Sequence, residues 1–73
     1  MPPLPVISGE KAIAAFKRDG WVFDSQRGSH IKLIKNGTSV KLIIPNHKTL
    51  DKGTLRSLIK KSGLTVDEFI SLL

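Results

Sequence analysis

The sequence predicts an α+β domain with the element order αβββαα, in which helices cover one face of a three-stranded antiparallel sheet. Apolar residues recur at helical spacing near both ends of the chain, and they alternate with polar residues in the middle. Between the two alternating segments, Asn36-Gly37 is typical of a tight hairpin. Strands flanked by helices favour this fold class, and the uncovered face of such a sheet is free to bind a ligand.

The chain has 73 residues, enough for one hydrophobic core and too few for two. We expect residues 1–7, which include three prolines, to form an extended leader, and residues 8–73 to form the single domain. The N-terminus does not resemble a signal peptide, and no apolar stretch approaches the roughly 20 residues needed to cross a bilayer. Because no segment could span a bilayer, we expect no membrane partner. Without cysteine, disulfides and Cys-based zinc sites are excluded, and we expect a cytoplasmic protein.

The first helix begins after Ser8, a residue type that caps helix N-termini. It continues to Arg18 and is ended by Gly20. One of its faces is apolar and consists of Ala12, Ile13 and Phe16. These features predict an amphipathic helix that packs against the sheet.

The first two strands form a hairpin. Residues 21–23 are aromatic or β-branched, and residues 25–28 supply turn chemistry. The second strand, residues 30–35, alternates so that His30 and Lys32 lie on one face and apolar residues lie on the other. We assign the aromatic side chains of Trp21 and Phe23 to the core rather than to base stacking.

The third strand is predicted over residues 38–44, antiparallel to the second, and ends at Pro45. One face of this strand is apolar, with Val40, Leu42 and Ile44. Lys41 points to the other face, where a simple register would place it beside His30 and Lys32.

Two helices follow the sheet. The first covers residues 52–62, with Gly63 as its C-terminal stop and Leu55, Leu58 and Ile59 as its buried stripe. Thr65 and Glu68 match a capping box, which opens a short last helix bearing Phe69, Leu72 and Leu73.

Twelve Lys and Arg against six Asp and Glu give a net charge of +6, which favours a polyanionic partner, nucleic acid above all. Part of this charge is ordered along the second helix. Lys52, Arg56 and Lys60 recur every four residues, so they share one exposed flank that can follow phosphates.

His30 and His47 are the candidates for general acid or base, because imidazole titrates near neutral pH. His30 begins a strand on the cationic face, whereas His47 lies in a loop after Pro45. Ser29 is a poor nucleophile for His30 to activate, since successive strand side chains point to opposite faces, and we expect it to bind phosphate or the turn backbone. The acids are scattered and there is no phosphate-cradling glycine loop, so we expect no metal and no cofactor.

Two motifs carry a family resemblance. Gly28-Ser29-His30 follows an amphipathic helix and an aromatic strand, and Pro45-Asn46-His47 precedes Gly53-Thr54-Leu55-Arg56 and Lys61-Ser62-Gly63-Leu64. From Ser8 to Leu73 the chain resembles the HicA toxins, small bacterial RNA interferases. The resemblance implies a double-stranded-RNA-binding-domain-like fold, ribosome-independent cleavage of mRNA and neutralisation by a HicB-type antitoxin. It also places the family's catalytic histidine at His30.

The resulting hypothesis is a metal-independent endoribonuclease in which His30 removes a proton from a ribose 2′-hydroxyl. The cations proposed to stabilise the developing charge on phosphorus are Arg27, Lys32 and Lys41, and the further RNA contacts are Ser29, Lys52, Arg56 and Lys60. Two alternatives stay open on the residues alone. The same surface would suit a non-catalytic RNA- or DNA-binding module, and it would suit an interaction module that binds an acidic protein.

Overall fold

A computed structural model describes residues 3–73 of the chain. Its elements, in chain order, are α1 (Gly9–Arg18), β1 (Val22–Arg27), β2 (His30–Ile34), β3 (Leu42–Pro45), α2 (Lys52–Ser62) and α3 (Val66–Ser71). The strands form one antiparallel sheet in the order β1-β2-β3. The predicted α+β class and the order αβββαα are confirmed, in the arrangement that the HicA resemblance implies. No helix among residues 3–73 has the length and apolar character to span a membrane.

The first helix forms where the sequence predicts it. The Ser8 hydroxyl accepts a hydrogen bond from the Lys11 N–H at 3.1 Å, which satisfies one of the free donors at the helix start. The apolar face of α1 is buried, with Phe16 fully enclosed. At the other end, Gly20 has a φ of 101°, a conformation that glycine adopts without strain.

The first strand is longer and more exposed than predicted. It continues through residues 25–27, which we assigned to a turn, and all six of its residues are exposed. Trp21 is buried as predicted, but the assignment of Phe23 to the core is wrong, because its side chain is 52% exposed. The reason is topological: β1 is an edge strand, whereas α1 and α2 pack against β3 at the opposite edge.

The connection between β2 and β3 is not the predicted two-residue hairpin. Residues 36–37 form a turn, but the chain re-enters the sheet only at Leu42, which pairs with Leu33. In between, the Thr38 hydroxyl accepts a hydrogen bond from the Val40 N–H at 3.1 Å. Such local bonds compete with strand pairing. Val40 is accordingly outside β3 and partly exposed, whereas Leu42 and Ile44, predicted to share its face, are buried.

The second helix has the predicted bounds, and α3 begins after Thr65 as predicted but ends at Ser71, so Leu72 and Leu73 lie beyond it. Asp51 caps α2 by accepting hydrogen bonds from two N–H groups of its first turn, and Gly63 ends this helix with a φ of 83°. The predicted capping box of α3 is present. Phe69 of α3 is fully buried, and its ring centroid lies 5.0 Å from that of Phe16. The last helix therefore closes the core.

The segment before α1 contributes to this core. Leu4 and Ile7, which we assigned to an extended leader, are 7% and 9% exposed and join the main hydrophobic cluster. The Leu50 N–H donates to the Ile7 carbonyl at 2.8 Å. Residues 3–7 form no helix or strand, yet they pack as part of the domain. The predictions for residues 1 and 2 lie outside the described residues.

Candidate active site

A tight hairpin turn presents the first residue of β2. Arg27 and His30 form the last pair of the β1–β2 ladder, so Gly28 and Ser29 are the two central residues of the turn. Gly28 has a φ of 59°, which a glycine at the first central position of a two-residue hairpin loop adopts without strain. This local geometry fixes His30 at the end of the sheet, directly opposite Arg27.

An irregularity in β1 decides which of its side chains lie beside His30. Phe23 pairs with Leu33 and Ser25 pairs with Lys32, so Asp24 is an extra residue, a β-bulge. The extra residue reverses the alternation of β1. Ser25 and, two residues on, Arg27 therefore share the uncovered face of the sheet with their pairing partners.

The uncovered face carries a cleft of about 470 Å³. Its lining residues come from all three strands and are Ser25, Gln26, Arg27, His30, Lys32 and Ile43. His30 is exposed, and within residues 3–73 no side chain forms a hydrogen bond with its imidazole. Lys32 is about one-third exposed and lies 4.0 Å from Asp24, an ion pair that contributes little at such a surface. The cleft thus combines a free imidazole with two cations.

The structure does not bring Lys41 into this cleft. We expected Lys41 to join His30 and Lys32 from the third strand, but β3 begins only at the next residue. Lys41 is exposed in the connection and does not line the cleft. Ile43 occupies the position opposite Lys32 instead.

Ser29 and His47 are neighbours. The Ser29 hydroxyl lies 3.4 Å from His47 Nε2, and the Ser29 carbonyl accepts a hydrogen bond from the Asn46 N–H at 2.7 Å. The loop after β3 therefore packs against the turn that carries His30. No sequence pattern predicts this contact, since the two residues are 18 positions apart in the chain.

The predicted cations of α2 are exposed and do not line the cleft that contains His30. Lys52, Arg56 and Lys60 all point into solvent. A second cleft of about 410 Å³ lies between α2 and β3, and its lining is Ile43, Asp51, Gly53, Thr54, Ser57, Leu58 and Lys61. Lys61 was missed in the sequence, although its spacing from Thr54 and Ser57 places all three on one helix face. Within residues 3–73, no three His, Cys, Asp or Glu side chains gather as a metal site would require.

The sequence matches a known protein family. A sequence model described as the HicA toxin of bacterial toxin-antitoxin systems matches residues 9–64, more than half of the chain. The chain belongs to the HicA toxin family. The matched segment includes the hairpin turn with His30 and the loop with His47, and it ends before α3.

A solved structure supports membership of the HicA family. One chain of a toxin–antitoxin complex from Streptococcus pneumoniae superposes with a TM-score of 0.69 and is 30% identical in sequence. The alignment covers 80% of this chain and 98% of that chain. No curated protein matches the sequence.

Proposed function

We propose that this HicA toxin is an endoribonuclease that cuts mRNA in the cytoplasm without the ribosome and without a metal ion. The observation that supports the proposal most directly is the cleft on the uncovered sheet face. There the free imidazole of His30 lies in one cleft with Arg27 and Lys32. A phosphodiester seated in this cleft has a proton acceptor and two positive charges within one small surface.

The proposed reaction is an internal transfer at phosphorus. His30 takes the proton from a ribose 2′-hydroxyl, and the 2′-oxygen forms a bond to the adjacent phosphorus. The bond from phosphorus to the 5′-oxygen of the next nucleotide then breaks, and that oxygen takes up a proton. The products are a 2′,3′-cyclic phosphate and a 5′-hydroxyl end. Arg27 and Lys32 stabilise the negative charge that grows on the phosphoryl oxygens.

The other residues predicted to bind RNA extend the proposed RNA surface beyond the cleft. Ser29 lies in the turn next to the cleft, and Lys41 lies in the connection that leads into β3. Lys52, Arg56 and Lys60 form an exposed row on α2. Such a row binds phosphates without reading sequence. An acidic protein would bind the same row by the same attraction.

We infer that the protein partner is an antitoxin of the HicB type. The family is a family of toxins from toxin–antitoxin systems, and the similar structure from Streptococcus pneumoniae is a toxin–antitoxin complex. A net charge of +6 on a domain this small suits an acidic partner as well as RNA. Binding across the cleft would block the substrate.

The test compares wild-type protein and His30→Ala, purified in parallel and incubated with RNA in excess EDTA. We expect the wild type to cut and to leave cyclic phosphate ends, and we expect His30→Ala to be slower by about 10²- to 10⁴-fold. Because His30 is exposed, the variant should keep its circular dichroism spectrum and melting temperature. Equal cutting by both proteins would remove His30 from the mechanism. Salt-sensitive RNA binding without any cutting would favour the non-catalytic binding module.

A further inference from the structure

The active-site cleft and the second cleft meet at one residue. Ile43 lines both of them: it faces His30 and Lys32 on the sheet side, and α2 on the other side. Its side chain is 45% exposed, which is unusual for an isoleucine in the middle of a short strand. β3 is an edge strand, so no further strand lies between the uncovered face of the sheet at Ile43 and helix α2. The two clefts therefore form one continuous surface that turns around the edge of the sheet.

The α2 part of this surface is a polar stripe. Thr54, Ser57 and Lys61 follow the spacing i, i+3, i+7, which places them on one face of the helix. Within residues 3–73, the side chains of all three form no hydrogen bond or salt bridge. Their donors are therefore available to a ligand.

The charges of this stripe give it a direction. Asp51 lies at the N-terminal end, where its carboxylate is occupied by two N–H groups of the first helical turn. Lys61 lies ten residues further on, in the last turn of α2, and is the cation of the second cleft. A phosphate is attracted to the Lys61 end and repelled from the Asp51 end.

We propose that single-stranded RNA leaves the active-site cleft over Ile43 and that its next phosphates bind on the α2 stripe, with Lys61 as the main contact. The proposal rests on the proposed nuclease function, because it describes how the same substrate is held beyond the reaction centre. Lys61 is a positioning residue in this scheme. It binds RNA without touching the reacting atoms.

The apolar side chain of Ile43 between the two clefts favours single-stranded over duplex RNA. An exposed Ile43 between two polar regions is a suitable surface for the face of an unpaired base or for a ribose. In a duplex, the base faces are stacked against each other and only sugars, phosphates and groove edges are accessible. A single strand can therefore use all three parts of the surface, whereas a duplex can use only the cations.

Lys61 and Lys60 make this proposal sharply testable, because they are neighbours on different helix faces. Successive residues of an α-helix are about 100° apart around the axis. Lys61 therefore points into the second cleft, whereas Lys60 belongs to the exposed row with Lys52 and Arg56. Lys61→Ala and Lys60→Ala therefore remove the same charge at neighbouring positions of the chain, but from different faces of α2.

The experiment measures binding of a fluorescein-labelled oligouridylate by anisotropy, with His30→Ala present in every protein so that the RNA stays intact. The compared proteins add Lys61→Ala, Lys61→Gln, Lys60→Ala or Lys17→Ala. Lys17 is an exposed cation on α1 and controls for the loss of one charge. Melting temperatures confirm that each variant is folded. A duplex RNA of the same length is titrated in parallel.

We expect both Lys61 variants to weaken oligouridylate binding by about three- to tenfold at low salt, and to reduce the slope of log K against log salt by about 0.7, the value for one phosphate of a single strand. Lys17→Ala should change little, and the duplex should lose less affinity than the single strand. A loss for Lys60→Ala with none for Lys61→Ala would overturn the proposal, as would equal losses for single strand and duplex. Weakened antitoxin binding with unchanged RNA binding would also overturn it.

Cleavage by the wild type is measured separately, so the two proposals fail independently. If the wild type cuts RNA and Lys61→Ala binds RNA like Lys17→Ala, the nuclease function is supported and the proposed RNA binding by the α2 stripe is wrong. If the wild type does not cut RNA but Lys61→Ala selectively loses affinity for single-stranded RNA, the α2 stripe is supported as a binding site and the nuclease function is wrong.

Discussion

The Ser29 hydroxyl lies 3.4 Å from Nε2 of His47, so the turn that precedes His30 is in contact with the loop that follows β3. A backbone hydrogen bond of 2.7 Å from the Asn46 N–H to the Ser29 carbonyl strengthens this contact. The same loop also contacts the start of α1, because the Gly9 N–H donates to the His47 carbonyl at 2.8 Å. The position of His30 thus depends on α1 and on the loop after β3, as well as on its own hairpin.

This contact predicts coupling between Ser29 and His47 in cleavage. His47→Ala and Ser29→Ala should each slow single-turnover cleavage by up to about tenfold, which corresponds to about 1.4 kcal/mol. If they act through their mutual contact, the double variant should be hardly slower than the slower single variant. If the two rate reductions multiply in the double variant, the contact between Ser29 and His47 does not contribute to cleavage. A loss for His47→Ala as large as that for His30→Ala would give His47 a direct part in proton transfer.

The close approach of α1 to the same loop predicts that Gly9 is irreplaceable. A Cβ at Gly9 would overlap the Pro45 carbonyl oxygen and lie 2.8 Å from Asn46 Cα, both of them backbone atoms that cannot rotate away. Gly9→Ala should therefore cost about 2 to 3 kcal/mol in urea unfolding, as overpacking does. Gly53→Ala is the matched control in the first turn of α2, where the nearest atom is a carboxylate oxygen of Asp51 at 3.1 Å. Its effect should stay within about 1 kcal/mol, because the gain in helix propensity offsets a small shift of that side chain. Equal losses would show that α1 can move.

Much of the fold could be predicted because local chemistry determines it. Caps, glycine stops and apolar stripes depend on neighbouring residues, so both ends of α1 and α2 and the start of α3 were predicted correctly. The errors concern non-local packing. Phe23 has the composition of a core residue, but only the distance of β1 from the helices explains its exposure. Leu4 and Ile7 lie in an irregular segment, and no periodicity shows that such a segment packs against the core.

The candidate site could be predicted only as far as strand alternation extends. His30 and Lys32 share a face because they are two residues apart in β2. The bulge at Asp24, which brings Arg27 to the same face, and the late start of β3, which leaves Lys41 out, are properties of register. Register is decided by pairing between strands, and the Asn36-Gly37 turn indicated the wrong one. Lys61 was missed because the regular row of Lys52, Arg56 and Lys60 was the stronger pattern.

The burial of the segment before α1 predicts that it stabilises the domain. Ile7 is 9% exposed and its neighbour Val6 is 69% exposed. Ile7→Ala should therefore lower the free energy of unfolding by about 2 kcal/mol, or the melting temperature by roughly 8 to 16 °C. Val6→Ala, which also truncates a β-branched apolar side chain, should change stability by less than about 0.5 kcal/mol. Equal melting temperatures for the two variants would show that the segment detaches from the core in solution.

Lys32 and Lys41 allow the charge requirement of the reaction to be separated from general attraction of RNA. Lys32 lies in β2 and Lys41 in the connection before β3, and only Lys32 lines the cleft with His30. The transition state carries more negative charge on its phosphoryl oxygens than the substrate does, and a cation in the cleft stabilises that excess. We expect Lys32→Ala to lower kcat/KM for RNA cleavage by about 10- to 100-fold, mainly through kcat. Lys41→Ala removes the same charge from outside the cleft, so it should lower kcat/KM by less than about threefold, through KM, and the loss should fade as salt is raised. If Lys41→Ala lowered kcat as strongly as Lys32→Ala, residues 35–41 would have to fold over the cleft when RNA binds.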